Sequence, residues 1–350
     1  MAVSGSTPIP SLAIAQRTTN TMKKVLIDQY GRQLNYLRLS VTDRCNFRCY
    51  YCMPEEGMNF VDKKDLLSYE ELELLTQLFV RLGVNKIRIT GGEPFVRKGI
   101  MDFLTRISKI DRLHHITVTS NGTLSADHRA QLKRLGILKI NISMDSLDRQ
   151  RFFEMTRRDR FEEVYQCVMD LLNEGFQVKL NCVVADEKNI GDIVPFVQLT
   201  QTYPLSVRFL EEMPFNGRDS FSLPQWNHKA IFHHIQSHFP NIHKLEDERH
   251  GTSVNYKIPG FQGSFGIIPS FSRTFCGTCN RIRLSATGEL RTCLYGPPAG
   301  NLRDLLRSGA PMETIEDELL RIVANRAKDG FAAETLHAKT PTTSMSFLGG

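Results

Sequence analysis

The chain has 350 residues, 44 basic against 38 acidic side chains, a formal net charge of +6 and 41 % hydrophobic residues. This length suits one large domain and a smaller one, and the apolar content suits packed interiors. The charge is too mild to argue for nucleic acid, and no apolar run reaches the roughly eighteen residues of a membrane span. Eight cysteines, in two groups of three plus two singles, do not resemble a secreted disulfide framework and point to a reduced cytoplasm.

Residues 1–22 are rich in Ser, Thr, Pro and Ala without an apolar segment, which predicts a disordered extension rather than a secretory signal, with Met22 as an alternative start. From Tyr36 the chain alternates, Leu37, Leu39 and Val41 against Arg38, Ser40 and Thr42, which predicts a strand. Ser68-Tyr69-Glu70-Glu71 is a capping box; Leu72, Leu75, Phe79 and Leu82 follow at helical spacing, with Gly83 behind them. Strand and helix then alternate. Strands are expected at Lys86–Thr90, 115–121, 139–145, 177–185 and 206–213, and helices near 100–109, 125–135, 149–157, 161–174 and 190–201. Beyond 240 the pattern becomes irregular, with short strand-like runs at 254–258 and 266–269, an alternating run at 280–285, a Thr287-Gly288 turn and return strand, and a helix at 313–328.

Six strand–helix repeats argue for a parallel sheet. One phase of each strand is polar: Arg38, Arg88, Thr119, Asn141, Ser143, Lys179, Asn181 and Arg208 stand opposite the aliphatics. A parallel sheet is normally covered on both faces, so that phase is read as the lining of a cavity. The expected fold is α/β, a partial (β/α)6 TIM-like barrel over 23–240, with a smaller C-terminal domain over 241–338 and a tail over 339–350 ending in Gly349-Gly350. Active groups in such folds gather at the C-terminal strand ends.

Two cysteine groups fall at chemically telling places. Cys45, Cys49 and Cys52, spaced C-x3-C-x2-C, begin just past the first strand. Three thiols on one loop suit a cubane iron–sulfur cluster with one iron left open, whereas zinc normally takes four protein ligands; a zinc knuckle or buried free thiols are the alternative. Cys276, Cys279 and Cys293 form a second group of three; a distant His completing a zinc site is the alternative there. Arg281 and Arg283 share one side of a strand and suit a phosphate, or else a solvated face. With Arg38, Arg88, Lys179 and Arg208 they make six cations aimed at one space, without a matching set of acids, and a polyphosphate would offset them. Gly91-Gly92-Glu93-Pro94, past the second strand, is an ordinary turn or bare backbone offered to a ligand. Cys167 and Cys182 share aliphatic faces and read as core thiols.

The C-x3-C-x2-C loop with an aromatic before its last cysteine resembles the radical S-adenosylmethionine (SAM) enzymes. The stretches from Leu37 to Cys49 and from Ile87 to Pro94, the second group with Arg281-Ile282-Arg283, and the Gly-Gly end are together similar to the GTP 3′,8-cyclases of molybdenum cofactor biosynthesis. That resemblance implies two [4Fe-4S] clusters, one on Cys45, Cys49 and Cys52 and one on Cys276, Cys279 and Cys293. It implies SAM contacts at Tyr51, Gly92, Ser143 and Met213. GTP contacts are implied at Arg38, Arg88, Thr119, Lys179, Arg281, Ile282 and Arg283, with Arg281 and Arg283 as the catalytic pair. It further implies an electron donor such as flavodoxin or ferredoxin, hand-over of the product to a cyclic pyranopterin monophosphate synthase, neither a nucleic-acid nor a membrane partner, and room for a homodimer. Phe347-Leu348 stands where the family often has a basic residue. The alternative is another radical SAM enzyme with an auxiliary cluster acting on a different substrate.

Overall fold

The computed structural model describes residues 24–54, 58–185, 187–215, 224–336 and 344–348. The expected extension at 1–22 and the terminal Gly349-Gly350 lie outside them. Six strands, β1 (Tyr36–Ser40), β2 (Lys86–Thr90), β3 (His115–Ser120), β4 (Lys139–Ser143), β5 (Gln177–Val184) and β6 (Ser206–Glu211), pair in parallel in that order. Their connections carry α1 (Tyr69–Arg81), α2 (Ile100–Ile107), α3 (Ala126–Arg134), α4 (Arg149–Thr156), α5 (Phe161–Asn173) and α6 (Ile193–Thr202). The aliphatic phase of the strands, including Leu37, Leu39, Ile87, Ile89, Ile140, Ile142, Leu180 and Val207, is fully buried against these helices. The capping box at α1 forms as its residues dictate: Glu71 N donates to Ser68 Oγ at 3.1 Å and Ser68 N to Glu71 Oε2 at 2.6 Å.

The chain beyond β6 extends the barrel sheet at both of its edges. Its remaining elements are α7 (His228–His238), β7 (His243–Lys244), β8 (Val254–Lys257), β9 (Ser264–Ile268), β10 (Arg281–Leu284), β11 (Glu289–Arg291), β12 (Gly300–Asn301), α8 (Leu302–Arg307), α9 (Met312–Ala324), α10 (Gly330–Glu334) and α11 (Met345–Leu348). β9 joins β6 and β10 joins β1, both in parallel, so the twelve-stranded sheet runs β12-β11-β10-β1-β2-β3-β4-β5-β6-β9-β8-β7. The change of sequence texture near 240 therefore falls within one continuous sheet. The expected helix at 313–328 stops at Ala324, and α7, capped by Asn227 and burying Ile231 and Ile235, has too few apolar residues to stand out from sequence.

Candidate functional site

The polar phase of the strands lines a cavity of about 480 Å³, in the range of small-molecule sites. Arg38, Cys45, Cys49, Cys52, Tyr51, Arg88, Gly92, Thr119, Ser143, Lys179, Arg208 and Met213 all border it, as do Cys276, Cys279, Cys293, Arg281 and Arg283. Register explains the convergence. Arg38 lies between Arg283 on β10 and Arg88 on β2, and Asn141 lies between Thr119 on β3 and Lys179 on β5. Ile282 is the exception: its side chain is fully buried in the aliphatic layer, leaving only its main chain for any ligand.

Eight cations and two carboxylates border the cavity among the described residues. One carboxylate, Glu211, is fully buried and taken up by donors from His228 and Ser272. The other, Glu248, lies 3.5 Å from Lys179 Nζ. Burial, then Arg283 and Arg88 beside it, hold the Arg38 guanidinium well below its usual range, and burial followed by Arg208 lowers Lys179. Arg38 Nε, Arg88 Nε and Thr119 Oγ1 are buried without a hydrogen-bond partner. Buried polar atoms are rarely left so, and orphaned donors in a cationic chamber fit an anion with several oxygens. Tyr36 adds a ring whose centroid lies 4.8 Å from Lys86 Nζ and 5.8 Å from the Arg281 guanidinium carbon. Lys86 and Tyr36 were legible in principle, since each sits two residues before an arginine on the same strand phase.

The first thiol loop hangs from α4. Arg48 N and Tyr50 N donate to the Thr156 and Met155 carbonyls, each at 3.0 Å, and Arg157, left-handed at φ +54°, reaches the Met53 carbonyl at 3.2 Å. The Gly91-Gly92 turn meets the root of this loop: Gly92 N donates to the Thr42 carbonyl at 2.8 Å, and a Cβ on Gly92 would collide with the Arg44 carbonyl. Both glycines also border the cavity, so close packing and an accessible backbone share one turn. Tyr51 is aimed by its hydroxyl, which donates to Asp145 Oδ2 at 2.8 Å, while Asp145 Oδ1 accepts from Val183 N at 2.9 Å.

Burial pushes Cys45 up to about 11 and Cys52 up to about 12, and burial, then Asp145, Cys52 and Cys45, raises Cys49 well above its usual range. Three such thiols become thiolates together only when a positive centre joins them, which fits a metal cluster. Among the described residues no three His, Cys, Asp or Glu side chains converge on a single ion. One zinc would draw its sulfurs to within about 3.8 Å of each other, given a Zn–S bond of about 2.3 Å. Thiolates on separate irons of a cubane stand wider apart, and three thiols on one loop supply the donor number that such a cluster takes.

The second loop borders the same cavity; burial raises Cys276 and Cys293 as it does the first three thiols, and Cys279 alone is biased the other way. Burial pushes Cys279 up, but Arg281 and Arg326 beside it bring the thiol down to about 7. Arg326 Nη1 donates to the Cys279 carbonyl at 2.6 Å and Arg32 Nη1 to the Cys276 carbonyl at 3.2 Å. Arg273 stacks on Tyr295 at 3.6 Å and on Phe331 at 4.4 Å, and donates to Glu334 at 2.8 Å. Sequence offered no sign of these three arginines, whose partners are distant in the chain. Residues 344–348 touch both loops: Ser344 Oγ, just before α11, donates to the Cys52 carbonyl, and Leu348 at its end packs with Phe215 and Tyr295. Cys167 and Cys182 are buried in the core, as expected. No helix among the described residues is long and apolar enough to cross a membrane.

Comparison with known proteins agrees with this geometry. Residues 39–200 match the radical SAM superfamily, and residues 205–331 match the family described as Molybdenum Cofactor Synthesis C. Over 344 residues the chain is 39 % identical to "GTP 3',8-cyclase, mitochondrial" of Arabidopsis thaliana, covering 96 % of this chain and 86 % of that one. It is 43 % identical over 299 residues to "Molybdenum cofactor biosynthesis protein 1" of Mus musculus, covering 85 % of this chain and 46 % of that one, so it spans about half the length of such relatives. The fold resembles the crystal structure of Streptococcus suis SuiB, with a TM-score of 0.61 and 12 % identity, covering 91 % of this chain and 73 % of that one. The radical SAM match implies one [4Fe-4S] cluster and SAM. By a third or more of its residues across nearly its whole length, and by both halves of its architecture, this chain belongs to the GTP 3′,8-cyclase family of molybdenum cofactor biosynthesis within the radical SAM superfamily.

Proposed function

We propose that this chain is a GTP 3′,8-cyclase that joins ribose C3′ of GTP to guanine C8, giving (8S)-3′,8-cyclo-7,8-dihydroguanosine 5′-triphosphate. The observation that carries the reading is the set of orphaned donors, Arg38 Nε, Arg88 Nε and Thr119 Oγ1, in a cationic chamber flanked by two thiol triads. Cys45, Cys49 and Cys52 would hold the first cluster, with Tyr51, Gly92, Ser143 and Met213 beside SAM. Cys276, Cys279 and Cys293 would hold a second cluster. Cluster and SAM together supply a one-electron reduction and a carbon-centred hydrogen abstraction.

The chain's own residues do the placing. Arg38, Arg88, Lys179, Arg281 and Arg283 would bind the triphosphate, and Thr119 would take a hydroxyl or phosphate oxygen. Holding C3′ and C8 at fixed distance in an enclosed site turns a difficult encounter into a unimolecular step, an effect that reaches roughly 7 kcal/mol or more. Arg281 and Arg283 are the pair expected to act during ring closure, since they join the second thiol loop to the phosphate wall. The net atoms of GTP are conserved: the hydrogen lost from C3′ is replaced at guanine by a proton and an electron. A small electron carrier of the flavodoxin or ferredoxin type would supply electrons, a cyclic pyranopterin monophosphate synthase would consume the product, and the compartment is read as cytoplasm.

The test is anaerobic reconstitution with iron and sulfide, then incubation with GTP, SAM and reductant. Detection of 5′-deoxyadenosine together with the cyclised nucleotide supports the reading. Deoxyadenosine without any change in GTP points to the alternative, a radical SAM enzyme with another substrate.

A further inference from the structure

Among the described residues, Glu248 is the one carboxylate bordering the chamber that pairs with its cations, since Glu211 is taken up by His228 and Ser272, and the proposed reaction leaves it unused. It sits on the 245–253 connection between β7 and β8, whose residues 248–253 border the cavity. The turn presenting it is closed by Gly251 N donating to the Glu248 carbonyl at 2.7 Å, with His250 left-handed at φ +61°. His250 Nδ1 lies 2.7 Å from the Thr278 carbonyl, which fastens the turn to the second thiol loop.

This loop borrows two of the chamber's cations. Glu248 Oε1 lies 3.5 Å from Lys179 Nζ, and Arg281 Nη2 donates to the His250 carbonyl at 2.8 Å. Lys179 is the main influence holding the Glu248 carboxyl below its usual range, with Lys86 and Arg208 adding to it. These cations stand at the N-terminal side of β2, β5 and β6, whereas the first thiol loop follows the C-terminal end of β1. The contact is built to yield. Its 3.5 Å separation exceeds the roughly 2.7–2.9 Å of a charge-assisted hydrogen bond, and the Glu248 side chain remains 67 % exposed.

We propose that Glu248 is an internal counter-anion that sets nucleotide affinity: it occupies the phosphate end of the empty chamber, and the outermost phosphate of the incoming nucleotide displaces it from Lys179. The inference rests on the GTP reading above. In the empty chamber Glu248 offsets repulsion between Lys179 and Arg208. On binding, a phosphate takes over that role and the Glu248 side chain turns toward solvent, while the 245–253 loop stays fastened through His250. The exchange holds affinity below what the cations alone would give, which eases release of a product that keeps its triphosphate. Only a ligand long enough to reach Lys179 has to make this exchange, so the effect grows with phosphate number.

The experiment is calorimetric titration of the reconstituted full chain and of Glu248→Gln with GTP, GDP, GMP and inorganic tripolyphosphate. The expected result is roughly fivefold tighter GTP and tripolyphosphate binding to the variant, a smaller gain for GDP and none for GMP. In a Lys179→Met background the same change should give no gain. Unchanged or weaker tripolyphosphate binding to a Glu248→Gln protein of normal iron content overturns the proposal, and so does an equal gain for all three nucleotides. The tripolyphosphate arm separates the two readings. Tripolyphosphate binding that tightens in the variant, without any GTP binding, sinks the cyclase reading and keeps the counter-anion; failure to bind either ligand removes both.

Discussion

Arg38 stands in register beside Arg283 across the parallel pair β1–β10, two guanidiniums side by side in the wall of one chamber. Strands run about 4.8 Å apart, and like charges directly opposite each other destabilise a sheet. The pairing is therefore a cost of the empty protein that the anion proposed for this chamber would offset.

Arg38→Met removes that repulsion and leaves packing volume similar. The ligand-free chain should melt roughly 2 °C higher, the equivalent of about 1 kcal/mol, while GTP binding weakens at least about tenfold. Differential scanning fluorimetry and calorimetric titration read the two effects separately. A lower Tm would mean that Arg38 is well satisfied without ligand.

Cys276→Ala should drop chemically measured iron from about eight to about four atoms per chain after reconstitution, if both centres are cubanes. The electron paramagnetic resonance signal of the reduced first cluster should persist. Unchanged iron content would show that the second triad holds no cluster.

α1 is tied to α8 by Glu71, whose carboxylate accepts from Arg307 Nε at 2.8 Å and Nη2 at 2.9 Å as well as from Ser68 N. Arg307 is the main cause that lowers the Glu71 pKa below 4.5. A depressed carboxylate contributes stability that is present above the unfolded value and lost as pH falls through the folded one. Glu71→Gln should accordingly cost about 1 kcal/mol at pH 7, part of it from a charge-assisted pair only partly screened by water. The difference should shrink once pH drops below about 4.5, the usual carboxylate range. Urea unfolding at several pH values gives the curve; a pH-independent difference would assign the cost to the helix cap alone.

Arg273 is nearly buried, left-handed at φ +55°, and sandwiched between Tyr295 and Phe331. Tyr295 lies two residues beyond Cys293, so the stack fixes the second thiol loop against α10. Arg273→Ala removes the stack, the hydrogen bond to the Gly330 carbonyl at 3.0 Å and the Glu334 pair, and should cost about 2–4 kcal/mol. Iron should be lost from the second site faster than from the first in a chelator challenge; parallel loss would make Arg273 a general stability residue.

Much of this molecule is written in local pattern. The capping box at Ser68, the alternation of Arg38 with Leu37 and Leu39, and the C-x3-C-x2-C spacing each act within a few residues, where sequence distance and spatial distance agree. The six βα repeats and the polar strand phase follow from them. What only the tertiary structure decided is how segments distant in the chain meet. β10 pairs with β1 at a separation of some 245 residues, and four-residue strands carry too little periodicity to announce a partner. Glu248 reaches Lys179, Arg326 reaches Cys279 and Ser344 reaches Cys52 through loops whose composition names no target. Local propensity chooses each element; burial of the shared aliphatic layer and satisfaction of buried polar groups choose which elements meet, and these are properties of the whole packed chain.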